Sequence, residues 1–132
     1  MVFLWVIFLT MLLYYVYKVV VLLDKEILKG SIDILLLSII AKRDTYGYEI
    51  AQSLKDASED LYSMGQGTLY PALKRLEKKE FLESYWNESE NGIKRKFYTI
   101  TDKGKKELQK KVNSWESVTA LIQACQKGVI YE

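Results

Sequence analysis

Histidine is absent from these 132 residues, Cys125 is the only cysteine and Pro71 the only proline. Without imidazole there is no His-based metal site, no Ser-His or Cys-His nucleophile and no imidazole pH sensor. A single cysteine forms no disulfide within the chain and no cluster for zinc or iron–sulfur. No metal, cofactor or enzymatic activity is therefore expected. One proline and 7 glycines leave little room for a flexible low-complexity linker. Apolar side chains are abundant, at 49% hydrophobic and 13% aromatic, which suits one packed domain of ordinary size.

Neither sign of charge dominates: 19 Lys and Arg against 17 Asp and Glu give a net +2. The charges are nevertheless segregated. Residues 24–64 carry 5 basic and 8 acidic side chains, residues 65–73 carry none, and residues 74–111 carry 12 basic and 7 acidic. The basic character sits in one contiguous third of the chain. It reads either as a solvated surface or as a phosphate-binding face, and geometry decides between them.

Residues 1–23 form a nearly uncharged apolar segment in which Lys18 is the only charge. As a helix it would extend roughly 34 Å, enough for a hydrocarbon core of about 30 Å. Lys18, Lys25, Lys29, Lys42 and Arg43 all follow it or close it, which would leave the remainder in the cytoplasm. It lacks the basic start and small-residue cleavage site of a signal peptide. Two readings compete: a membrane anchor, or an extension upstream of a true start near Leu23.

Ile27–Ile40 is too long for one strand and reads as a buried helix beginning near Lys29 or Ser31. Thr45 is placed to cap a second helix, Tyr46–Ala57. A third helix is expected over Thr68–Lys79, with Leu69, Leu73 and Leu76 as a core stripe and Pro71 in its first turn. Gly67, Pro71, Lys74 and Lys78 fall opposite that stripe, flanked by Tyr70 and Arg75. Two strand-like runs follow, Phe81–Trp86 and Lys94–Ile100, joined across the turn dipeptide Asn91-Gly92. Thr101 caps a final helix whose apolar positions Leu108, Val112, Trp115, Val118, Ile122 and Cys125 recur every three or four residues. The order helix–helix–helix–hairpin–helix makes the fold mainly α with a small β-hairpin, a winged helix-turn-helix followed by a C-terminal helix. The expected organisation is 1–23 as the apolar segment, 24–100 as the winged domain and 101–132 as a dimerisation helix.

Three blocks are more specific. They are Tyr46-Gly47-Tyr48-Glu49-Ile50, Gly67-Thr68-Leu69-Tyr70-Pro71-Ala72-Leu73 with Arg75-Leu76-Glu77, and Tyr98-Thr99-Ile100-Thr101-Asp102-Lys103-Gly104. In this order and spacing the stretch from about Asp24 to about Cys125 resembles the PadR family of bacterial transcriptional regulators. The resemblance implies a winged-helix DNA-binding domain, a homodimer and, commonly, repression at palindromic operators. A short C-terminal helix is similar to the smaller subfamily. Family chains begin just before the ILKGSIDILLLS-like block, which favours the extension reading of residues 1–23.

A helix that enters the major groove needs a face free of core duty, and donors for phosphate. Gln66, Gly67, Thr68 and Tyr70 stand at the start of the third helix, where main-chain N–H groups attract anions. Lys74, Arg75 and Lys78 extend along or beside its exposed face, and Lys74 is the best placed for base edges or phosphate. Tyr70 could equally be half-buried against the hairpin, and Lys78 could be a plain solvated lysine. On the return strand Lys94 and Lys96 share a side and Arg95 takes the other, so Lys94 or Arg95 is expected at phosphate. Glu88 and Glu90 oppose that attraction. One of Tyr46 and Tyr48 is expected at phosphate and the other in the core, together with Trp86.

The stripe Leu108, Val112, Trp115, Val118 and Ile122 is the expected dimer interface. Trp115 resembles a tryptophan that lines a dimer pore and stacks flat aromatic ligands in drug-responsive PadR-like regulators. That makes a small aromatic effector one reading, and ordinary interface packing the other. A membrane-anchored adaptor whose winged helix binds protein is the alternative function.

Overall fold

The computed structural model describes the backbone of residues 1–22 and 25–129 and the side chains of 1–17 and 26–129. The elements in chain order are α1 (Val2–Leu22), α2 (Lys25–Lys42), β1 (Thr45–Tyr46), α3 (Gly47–Ala57), α4 (Gln66–Lys78), β2 (Leu82–Glu88), β3 (Lys94–Ile100) and α5 (Asp102–Gln126). Helices α2, α3 and α4 with the β2–β3 hairpin make the winged helix-turn-helix, and α5 follows it. The sheet has three antiparallel strands in the order β1-β3-β2, because Thr45 pairs with Tyr98 and Tyr46 with Phe97.

That third strand corrects the expected capping role of Thr45. Its side chain is buried in the sheet, and the residue before α3 is Tyr46, which makes no side-chain cap. Helix α2 starts at Lys25, earlier than Lys29 or Ser31, and β2 runs past Trp86 to Glu88. Helix α4 starts at Gln66, so Pro71 is its sixth residue and not in its first turn. The missing N–H there leaves the carbonyl of Gly67 without its intrahelical partner.

The core lies where α2, α3, α4 and the sheet meet. Leu36, Leu37 and Ile40 of α2, Ile50 and Leu54 of α3, and Leu69, Ala72, Leu73 and Leu76 of α4 are all buried, with Leu82 and Tyr98 closing it from the sheet. The leucine stripe of α4 is therefore its inward ridge, as its spacing requires.

The end of α4 and the start of α5 are tied together. The amide of Phe81 bonds back to the carbonyl of Leu76, and that of Glu80 to the carbonyl of Glu77. This is a Schellman closure with Glu80, at φ 65°, in the left-handed position usually held by glycine. The hydroxyl of Thr101 donates to the carbonyl of Glu80 at 2.7 Å and accepts the amide of Gly104 at 2.9 Å, so Thr101 caps α5 as its position indicates. Gly104 packs directly on Phe81, and a Cβ there would stand 2.1 Å from the Phe81 carbonyl oxygen. The glycine that weakens the first turn on propensity is the residue that lets the two elements meet.

Helix α1 carries apolar side chains that are exposed along Met1–Tyr17. Among the described residues no helix is long and apolar enough to cross a membrane, so the anchor expectation finds no support. The expected start near Leu23 lies outside the described residues, as do the boundary at Asp24, the side chains of Lys18 and Lys25, and residues 130–132.

Candidate nucleic-acid interface

The three faces of α4 do different work. Leu69, Ala72, Leu73 and Leu76 point inward. Gly67, Pro71, Lys74 and Lys78 are exposed and lie on the opposite side. Glycine and proline offer no long side chain at 67 and 71, so this surface allows a close approach of the helix backbone. Gln66 and Thr68 are also exposed in the first turn, and Gly65 before them offers no side chain to accept from the first-turn amides. The outward end of α4 is therefore electropositive.

Beside it runs a groove of about 660 Å³ between α4, the start of α3 and the hairpin. Tyr70 and Lys74 line one wall, Trp86, Lys94 and Lys96 the other, and Tyr46, Gly47, Tyr48 and Arg95 the end. Glu77 opposes the cations: it accepts from Ser84 Oγ at 2.5 Å and lies 3.7 Å from Lys96 Nζ. With Lys96 so engaged, Lys74, Lys94 and Arg95 carry the outward positive charge of the groove.

Register explains the walls. Trp86 pairs with Lys96 and Glu88 with Lys94, which puts Trp86, Lys96 and Lys94 on one face of the hairpin. Asn87 pairs with Arg95 and Tyr85 with Phe97, giving the other face. Arg95 turns to the aromatic pair at the start of α3, 5.1 Å from the Tyr46 ring and 5.6 Å from the Tyr48 ring. Its Nε is buried without a hydrogen-bond partner among the described residues. Two tyrosines thus hold the guanidinium in a fixed place at the rim. Beneath it Phe97 meets the Tyr46 ring at a tilt and stacks on Tyr85, and Tyr85 donates to Asp44 at 2.6 Å. That hydrogen bond raises the Tyr85 phenol above its ordinary value, ahead of a smaller effect of burial.

The groove gathers Tyr46, Tyr70, Lys74, Lys94 and Arg95 from the expected set. Gln66, Gly67, Thr68 and Lys78 stand outside it, on the exposed end and back of α4. Arg75 is turned away: it forms an ion pair with Asp33 of α2. Tyr70 packs across Gly47, where a Cβ would meet its ring at 2.7–2.9 Å, and it remains 46% exposed. Trp86 is 64% exposed, a correction to its expected core place, and Tyr48 is 63% exposed. Trp86 and Lys96 join the groove although residue type alone did not single them out; the register of the hairpin is the signal that does.

Residues 36–110 match the family described as transcriptional regulator PadR-like. The chain belongs to the PadR-like family of transcriptional regulators. Among PadR-like relatives, a crystal structure of a PadR family transcription regulator from hypervirulent Clostridium difficile is 40% identical, with a TM-score of 0.64, covering 72% of this chain and 97% of that one. An uncharacterised protein of Lysinibacillus sphaericus is 36% identical over 79% of this chain and 95% of its own length. The negative transcriptional regulator PadR of Bacillus subtilis is 30% identical over 55% of this chain and 40% of its own. The family is one of transcriptional regulators.

On α5, Leu108 and Val112 are partly covered. Trp115, Val118 and Ile122 are exposed, as is Cys125. Trp115 also lines a cleft of about 370 Å³ with Lys29, Asp33, Arg75, Glu107, Lys110 and Lys111.

Proposed function

We propose that the chain is a homodimeric DNA-binding repressor acting at palindromic operators. The observation that carries this is the pairing of a core-free, lysine-bearing face of α4 with the cationic groove beside it. In this reading Gly67, Pro71, Lys74 and Lys78 face the major groove, and Gln66, Thr68 and Tyr70 hold phosphate at its edge. Lys94 and Arg95 of the wing meet the next stretch of backbone. The similarity to a negative regulator in Bacillus subtilis favours repression. Such a protein works in the cytoplasm, where the DNA is.

One domain offers few base contacts, and a two-fold pair doubles them. The exposed row Trp115, Val118 and Ile122, continuing Leu108 and Val112, supports α5 as the pairing surface, since such a row left in water favours association. Trp115, half open beside a cleft, supports release from DNA by a flat aromatic ligand.

Retardation of DNA carrying the promoter of the chain's own gene, measured across salt, tests the reading. About six neutralised phosphates per dimer give a log–log slope of about −5. A chain that is monomeric at micromolar concentration and retards no fragment at low salt overturns it. Quenching of tryptophan fluorescence by flat aromatic compounds, lost in Trp115→Ala, tests the effector.

A further inference from the structure

The ion pair between Arg75 and Asp33 joins α4 to α2 on the flank that the groove does not use. Arg75 lies five positions after Tyr70, about 140° round the helix, and about 100° from Lys74. A duplex that enters through Tyr70, Lys74 and the hairpin is centred away from Arg75, which flanks the outward face about 60° from Lys78. Arg75 instead lines the cleft shared by α2 and α5, with Lys29, Asp33, Lys110 and Trp115. Asp33 is the better covered partner, at 21% exposure against 46% for Arg75. The shorter, better covered carboxylate anchors the longer side chain.

We propose that Arg75 serves DNA binding as a positioning residue that holds α4 against α2, and not by touching the duplex. The inference rests on the DNA-binding reading and refines it. The leucine ridge sets which face of α4 turns inward, but apolar contacts are non-directional and leave small rotations of the helix open. A directional guanidinium–carboxylate contact fixes that rotation, and with it the angle at which Lys74 and Lys78 face outward. The same cleft is bordered by Trp115 of α5.

Three variants test this: Asp33→Asn, Arg75→Gln, and the exchanged pair Asp33→Arg with Arg75→Asp. Affinity for a fragment that the unaltered protein binds is followed by fluorescence anisotropy at several salt concentrations, with thermal melting alongside. Both single variants are expected to bind about two- to tenfold more weakly, with the salt slope unchanged, and the exchange to recover most of the loss. A slope shallower by about 2 per dimer in Arg75→Gln, with Asp33→Asn unaffected or tighter, overturns the proposal, because Arg75 would then be releasing counterions itself. Single variants that bind as well as the unaltered protein overturn it too, and leave the DNA-binding reading standing. An unaltered protein that binds no fragment removes that reading and this one together. Should the exchanged pair fail to melt cooperatively, the two single variants and their salt slopes still decide.

Discussion

Tyr70 lies across Gly47, with its phenol oxygen 2.7 Å from where a Cβ at position 47 would stand. The absent side chain makes room for the ring, and the ring is thereby laid along the groove instead of swinging into solvent. A residue at the start of α3 thus sets the aim of a residue on α4, and the two elements present one surface.

Gly47→Ala is expected to displace the Tyr70 ring and leave the fold intact, since the crowded atoms are the far end of a flexible side chain. DNA affinity should fall about tenfold, similar to Tyr70→Phe if the hydroxyl meets phosphate. Anisotropy and melting curves check this together. Full affinity in both variants would remove Tyr70 from the interface.

Arg95 is held by Tyr46 and Tyr48, so its charge is delivered at a fixed place. Arg95→Gln should weaken binding across all sequences and make the salt slope shallower by about 0.9 per subunit. Tyr48→Ala keeps the charge but loosens its placement. It should cost affinity with little change in slope. Equal slopes in Arg95→Gln and the unaltered protein would exclude a phosphate contact.

Gly104→Ala places a methyl against the Phe81 carbonyl, 2.1 Å away, and against Ile100 Cγ1 at 2.8 Å. The backbone of α5 must move to accept it. Stability should drop by about 2–4 kcal/mol in urea unfolding, against a gain of under 1 kcal/mol for the same change at an open helix position. No loss of stability would mean that α5 does not pack against the end of α4.

Burial, then the charges of Glu77 and Tyr70, raise the Tyr98 phenol above its ordinary value of 10.0. The folded state holds this proton more tightly than the unfolded chain. Its contribution to stability is complete below pH about 10 and is lost as pH climbs through the raised folded value. Tyr62, also raised by burial, acts in the same direction. Unfolding free energy should therefore decline from about pH 10 upward, less steeply in Tyr98→Phe. An unchanged decline in that variant would assign it elsewhere.

Much of this fold was legible because its signals are local and periodic. Leu69, Leu73 and Leu76 announce the inner ridge of α4, Asn91-Gly92 the hairpin turn, and Thr101 its own cap. Strand β1 was not legible: two residues have no period, and Thr45 is a good cap by residue type until Tyr98 claims it in the sheet. An aromatic in a strand favours the interior, but the register of Trp86 opposite Lys96 turns it outward. Arg75 carries the charge that a DNA contact needs, but its partner Asp33 is 42 residues away. Only the packing of α4 on α2 brings them together.

The knot formed by Glu80, Phe81, Thr101 and Gly104 has a bearing on the operator itself. It leaves no slack between the helix that would read bases and the helix that would pair subunits. In the proposed dimer, two reading heads joined through such arms would stand at one separation and one relative twist. A single base pair inserted between half-sites shifts them by about 3.4 Å and turns them by about 35°. Arms without a hinge cannot follow that displacement, so the sites this protein recognises should share one invariant spacer length.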